Sequence, residues 1–242
     1  PALAINSSMS TFAKSASKLP AAAPGKNSEW TRTLNSHYQQ NLERSPSPGN
    51  VQMADIIAWL NRRLPDDAIL TNGAGNYAVW LQRFYQFRQY RTQLGPTNGS
   101  MGYGVPAAVA AKLTCPERVV VSFSGDGCFL MNGQEIATAA QYGANVIFVV
   151  INNGMYGTIR MHQERNYPGR VSGTDLHNPD FVALAQAYGL HGELVTVTAG
   201  FEPAFERCLA MSRPCLIEVR VDPEALTPRL SLSQIREQSS KQ

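Results

Sequence analysis

The sequence predicts an α/β fold: a parallel sheet with helices on both faces. Three observations predict it. Continuous apolar runs such as "RVVVSF" and "NVIFVV" read as strands buried on both sides. Segments with apolar residues at helical spacing lie between such runs. The two kinds alternate from Ala68 to Val221, which is the pattern of βαβ units.

The elements follow in order. Residues Ser10–Ser28 are rich in Ala, Ser, Lys and Pro, and "SPSPGN" (Ser45–Asn50) is a breaker cluster, so the region before Val51 reads as linker with one short helix, Trp30–Leu42. From Val51, apolar residues at helical spacing (Ile56, Ile57, Leu60, Leu64) predict a helix that stops at Pro65. Ala68–Gly73 is a short strand. Gly102–Thr114 is a helix with a small-residue face and Pro106 in its first turn. Arg118–Phe123 is a strand running into a glycine turn, Ser124–Gly127. Gly133–Gly143 is a helix closed by glycine, and Asn145–Ile151 is the most apolar strand. A helix over Pro179–Gly189, a strand over His191–Val197, a helix over Glu202–Ser212 and a final strand over Pro214–Val221 complete the pattern. No internal repeat or heptad interrupts it. The implied domains are 1–50, 51–223 and a C-terminal extension, 224–242.

Composition narrows the function. The 242 residues are 43% apolar and 16% charged, with a formal charge of +3 spread along the chain, which is a globular profile. The densest basic run, "RFYQFRQYR" (Arg83–Arg91), reads as a solvated helix face with Phe and Tyr packed inward, not as a nucleic-acid site. No apolar run reaches the ~18 residues that span a bilayer. Cys115, Cys128, Cys208 and Cys215 form no CxxC and no zinc spacing, so they read as free thiols in a reducing, cytoplasmic compartment. The chain begins with Pro1 and shows no signal peptide, which is the expectation for part of a longer polypeptide.

The ligand chemistry is concentrated at strand ends. In open α/β sheets the binding crevice lies outside the carboxyl ends of the strands. Three predicted strands end in Asn72-Gly73-Ala74-Gly75-Asn76, in Gly125-Asp126-Gly127 and in Asn152-Asn153-Gly154. Glycines allow a ligand close to main-chain amides, and a helix start suits phosphate. An acid at the same place repels phosphate unless a divalent cation lies between them. Magnesium takes hard oxygen ligands, often a carboxylate together with phosphate oxygens. Asp126 supplies the charge, Asn153 a neutral oxygen, and a loop carbonyl near Met155 a third ligand. Gly-Asp-Gly alone, or Asn-Asn-Gly alone, is an ordinary turn. With 24 residues between Gly127 and Asn152 the pair becomes specific. "GSMGYG" (Gly99–Gly104) has the wrong spacing for a dinucleotide fingerprint, and no GK[ST] occurs.

The pairing of Gly125-Asp126-Gly127 with Asn152-Asn153 resembles the thiamine diphosphate motif. "GPTNGSMGYGVPAAVAAKL" (Gly95–Leu113) and "NNGMYGTIRMHQE" (Asn152–Glu164) resemble the segments that flank it in the acetolactate synthase and benzoylformate decarboxylase superfamily. The resemblance covers roughly Val51 to Pro223, the diphosphate-binding domain, while residues 1–20 resemble the last helix of the preceding central domain. It implies thiamine diphosphate and Mg2+ as cofactors. Asp126, Asn153 and the main-chain oxygen of Met155 would hold the metal. Gly127, Cys128, Tyr156 and Gly157 would line the diphosphate, and Gly75, Asn76 and Tyr77 match an upstream loop that also touches phosphate. Met101 matches the wedge that bends the cofactor, and the main chain of Gly99 and Met101 would bind its aminopyrimidine. A bent cofactor gains its internal base by proximity.

Each residue also has a plainer reading: Met101 as core filler, Cys128 as an inert small residue, and His162 as structural where the resemblance puts it on the substrate side. His162 replaces the Trp of typical acetolactate synthases, and Gly154-Met155-Tyr156 is closer to the decarboxylase-like branches. In this superfamily the activating Glu comes from a separate pyrimidine-binding domain. The resemblance therefore implies that pyrimidine-binding and central domains of the same polypeptide lie outside this chain. It also implies a homodimer or homotetramer and a small 2-ketoacid substrate, while the charge and apolar patterns point to no nucleic acid and no membrane, and the C-terminal extension could serve as a lid. Two readings stay open: part of a thiamine diphosphate-dependent lyase or transferase, or a non-catalytic module that kept the fold.

Overall fold

The computed structural model describes residues 2–21, 23, 25 and 28–241, which form two compact units divided after Glu43. The first holds two helices, α1 (Met9–Ala16) and α2 (Ser28–Asn41). Ser8 caps α1 by accepting from the Thr11 amide. The helix expected over Trp30–Leu42 is α2.

The second unit is built around six parallel strands: β1 (Ile69–Asn72), β2 (Gln93–Leu94), β3 (Val120–Gly125), β4 (Val146–Asn152), β5 (His191–Val195) and β6 (Cys215–Arg220). Their order is β2-β1-β3-β4-β6-β5. β1 and β3 are buried at every position. Side chains alternate across each strand. Val121, Phe123, Ile147, Val149, Ile151, Ile217 and Val219 face α3 (Met53–Arg63), α4 (Tyr77–Phe84) and α10 (Phe201–Leu209). Val120, Val146, Phe148, Val150 and Leu216 face α5 (Gly104–Thr114), α7 (Ile136–Gln141) and α9 (Phe181–Ala187). Both faces are covered, which is why these strands are continuous apolar runs.

α5 reaches the sheet at Gly104. A Cβ there would sit 3.1 Å from the Asn72 carbonyl carbon and the Gly73 nitrogen and 3.2 Å from the Phe123 oxygen. Only a glycine lets the helix start that close to two strand ends, and Thr71 Oγ1 donates to the Gly104 oxygen at 2.7 Å.

Several details differ from the sequence expectation. Gly125-Asp126-Gly127 is not a free turn: β3 runs through Gly125, and a helix, α6 (Asp126–Asn132), begins at Asp126. The run Arg83–Arg91 is not a helix face, because α4 ends at Phe84. Beyond it the Gln86 amide donates to Asn61 Oδ1 and Arg88 to the Asn61 oxygen and Asp66, and these contacts hold the chain extended. Phe84 and Tyr85 are buried as expected, but Tyr90 is exposed. α8 (Gly157–Asn166) lies where the sequence pattern predicts no element, since its one buried residue is Glu164 rather than an apolar stripe.

Candidate functional site

Because β1, β3 and β4 are parallel neighbours, their carboxyl ends share one edge of the sheet. A cavity of about 220 Å3 opens there. The segment after β1 contributes Gly75, Asn76 and Tyr77, the loop before α5 contributes Gly99 and Met101, the β3–α6 junction contributes Gly125, Asp126, Gly127 and Cys128, and the segment after β4 contributes Asn153, Met155, Tyr156 and Gly157. The geometry thus brings together all thirteen residues that the sequence singled out for a cofactor. His162 stays apart, exposed on α8 and outside the lining.

The glycines make the hollow. A Cβ on Gly125 would meet the Tyr77 ring at 2.8 Å, and one on Gly127 would meet the Tyr156 ring at 2.6 Å. Gly154 holds φ at 71°, the left-handed turn that redirects the chain between Asn153 and Met155. α8 then starts on the cavity wall with Gly157 and Thr158, which places the positive end of a helix there.

Asp126 is the one carboxylate in the lining. It is 2% exposed. Its Oδ1 accepts from the Gly127 amide at 2.9 Å, and its Oδ2 from the Gly154 amide and Asn178 Nδ2, each at 2.8 Å. Burial raises its carboxyl above the usual range, while the Asn178, Gly127 and Gly154 hydrogen bonds oppose that shift. Among the described residues no ion pair involves Asp126, so a buried anion stands without a protein cation. Beside it, Asn153 Oδ1 accepts only a long 3.3 Å bond from the Met155 amide. A carboxylate oxygen with spare lone pairs, a weakly engaged amide oxygen and a nearby main-chain carbonyl are a donor set that suits a hard divalent cation. The residues present therefore fit a metal-bound diphosphate.

Other side chains shape the walls. The Tyr77 hydroxyl donates to Cys128 Sγ at 3.2 Å, and the Gly102 amide to the same sulfur at 3.1 Å. Burial pushes the Tyr77 hydroxyl well above its ordinary pKa, so it stays a donor. Asn76 is clamped to α8: its amide donates to Thr158 Oγ1, its Oδ1 accepts from that hydroxyl, both at 2.9 Å, and its Nδ2 reaches Met161 Sδ. Leu226 joins the lining from the C-terminal segment and packs with Met155, Leu232 and Ile235. The helix after it, α11 (Leu232–Ser240), is tied to α8 by Arg236 and Glu164, and the Gly169 amide and Arg160 complete the shell around that carboxylate.

Sequence reasoning missed Asn178, Thr158, Trp80 and Leu226. Asn178 comes 52 positions after Asp126 and just before Pro179, so it reads as an ordinary helix approach. Only the fold brings it beside the acid.

The comparisons with known proteins agree with this geometry. A curated family model, "Thiamine pyrophosphate enzyme, C-terminal TPP binding domain", matches residues 73–219. The acetolactate synthase large subunit of Corynebacterium glutamicum is 37% identical over 177 residues, covering 70% of this chain and 28% of that protein. The acetolactate synthase isozyme 2 large subunit of Escherichia coli is 32% identical over 197 residues, covering 80% and 36%. Among solved structures, the thiamine diphosphate-dependent 4-hydroxybenzoylformate decarboxylase of Rhodococcus jostii RHA1 is similar at a TM-score of 0.69 and 34% identity, over 74% of this chain and 34% of that one. The chain thus spans about a third of the length of these relatives. Since the family model covers most of the β-sheet unit and the cavity at its edge, this chain belongs to the thiamine pyrophosphate enzymes as a C-terminal TPP-binding domain.

Proposed function

We propose that the chain carries the diphosphate and magnesium half of a cofactor site in an acetolactate synthase-like enzyme that acts on a small 2-ketoacid. The observation that carries this reading is Asp126: a buried carboxylate with no cationic partner among the described residues, in a glycine-walled cavity at the ends of β3 and β4. Asp126, Asn153 and the Met155 carbonyl would hold Mg2+. Gly127, Cys128, Tyr156 and Gly157 would line the diphosphate, with Gly75, Asn76 and Tyr77 opposite. Gly99 and Met101 would position the aminopyrimidine end, Met101 as the wedge beneath the bend. Such a cofactor would supply carbanion stabilisation at the carbonyl carbon of the ketoacid. This reading assigns decarboxylation or carboligation of a small 2-ketoacid.

The chain's own contribution is binding, orientation and water exclusion. Apolar Met53, Trp80, Ile151, Val221 and Leu226 in the lining support a dry site. The segment 224–242, which brings Leu226 to the wall, acts in this reading as a cover. The acid that activates the aminopyrimidine belongs to a pyrimidine-binding domain beyond residues 1–242, on a homodimer or homotetramer partner. Residues 1–50 form the tail of a central domain with its linker. A cytoplasmic location accords with four free cysteines, and no described helix is long and apolar enough to cross a membrane.

Trp80 gives a direct test, since it lines the cavity. Thiamine diphosphate should quench Trp fluorescence in the presence of Mg2+, EDTA should reverse the quench, and thiamine without phosphate should leave the emission unchanged. A quench independent of both metal and phosphate would count against the reading.

A further inference from the structure

The side chain that supports Asp126 is the first link of a longer chain. Asn178 Nδ2 donates to Asp126 Oδ2 at 2.8 Å and to Asn152 Oδ1 at 2.9 Å. Asn152 Oδ1 also accepts from the Gly154 amide at 3.1 Å. Asn152 Nδ2 donates to Glu218 Oε1 at 2.9 Å, and Arg220 Nε donates to the same oxygen at 2.7 Å. Glu218 is fully buried in β6, which pairs with β4. A charge in the middle of a sheet is costly, and shape alone does not explain it.

Polarity explains it. A side-chain amide has an accepting end and a donating end of nearly equal size, so packing does not choose between its two orientations. A carboxylate accepts only. Glu218 therefore takes the NH2 of Asn152, which turns Asn152 Oδ1 toward Gly154 and Asn178. Asn178 must then present its own NH2, and that NH2 also reaches Asp126. If either amide is reversed, oxygen faces oxygen. We propose that Glu218 is a positioning residue: through Asn152 and Asn178 it fixes the orientation in which Asp126 meets a divalent cation. This rests on the reading of Asp126 as a cation ligand.

The test follows Mn2+ binding to the full chain in the presence of thiamine diphosphate, by the electron paramagnetic resonance of free Mn2+, with circular dichroism as the check on folding. Glu218→Met offers no acceptor, and Asn178→Ala removes the side-chain donor on Asp126 and leaves the Gly127 and Gly154 amides. Each should weaken Mn2+ binding about tenfold, the lower range for partners of metal ligands. Glu218→Gln should recover most of the affinity, because Arg220, a donor only, selects its carbonyl end and keeps an acceptor in place. Wild-type Mn2+ affinity in Glu218→Met would overturn the proposal. So would a Glu218→Gln loss as large as that of Asn178→Ala, a comparison that holds even if Glu218→Met does not fold. Asp126→Ala separates the two layers: if it leaves Mn2+ binding intact, the cation site itself is wrong, whereas its loss alongside normal binding in Glu218→Met rejects the relay alone.

Discussion

The Glu164 carboxylate and the Arg236 guanidinium join α8 to α11 through two parallel hydrogen bonds of 2.8 and 2.7 Å. Glu164 is 1% exposed and also takes the Gly169 amide and Arg160. This cluster holds the segment that brings Leu226 to the cavity wall. Bidentate pairing of this kind is stronger than a surface ion pair.

A pH dependence follows. The Arg236 hydrogen bonds, against an opposing burial effect, hold the Glu164 carboxyl down at about 2 from an ordinary 4.5. A depressed folded-state value means the stabilisation is complete above the ordinary range and is lost as pH falls toward 2. Glu164→Gln should therefore lower the melting temperature by several degrees at pH 5 to 7, and the gap should close as pH approaches 2. Scanning calorimetry of both proteins across that range checks it. A constant gap at every pH would mean that the cluster acts through packing and not through charge.

Gly104→Ala should destabilise the fold by about 1–3 kcal/mol, the usual cost of overpacking. Its Cβ would press on strand backbone that cannot turn aside. Urea denaturation gives the number, and a variant as stable as the parent would show that α5 can shift outward freely.

Gly127→Ala tests the hollow itself. The added methyl meets the Tyr156 ring inside the lining. Fold and melting temperature should survive, because the ring can move, but thiamine diphosphate affinity should fall about tenfold or more, a loss of ~1.4 kcal/mol. Calorimetry on the variant checks this, and intact affinity would place the diphosphate elsewhere.

Much of this arrangement was legible in the sequence, for reasons that particular residues make clear. Strand β4, Val146–Asn152, is apolar because both its faces are covered, so its period and its polar end at Asn152 read directly. Glycines and amides at successive strand ends read as the lining of one cavity because parallel pairing brings strand ends together. α8 was hidden for the opposite reason: it is held by Glu164 and not by an apolar stripe. Asn178 and Glu218 were hidden because their role is a hydrogen-bond partner distant in sequence, which no local pattern encodes.

Residues 1–242 alone should not accelerate hydrogen–deuterium exchange at the thiazolium carbon of thiamine diphosphate. Asp126 is the one acid in the lining, and the proposed site commits it to the metal. A positioned proton-transfer group contributes about 10²–10⁴-fold. Exchange followed by proton NMR at that carbon should match the free cofactor. An acceleration in that range would reveal an activating acid within this chain.

In the proposed site Asp126 anchors a metal-bound diphosphate. Isothermal titration of thiamine diphosphate into the protein with Mg2+, for the parent and for Asp126→Ala, tests it most directly. The parent should bind only when Mg2+ is present, and Asp126→Ala should show no measurable binding heat while remaining folded. Equal affinity in the two proteins would rule out Asp126 as the metal anchor.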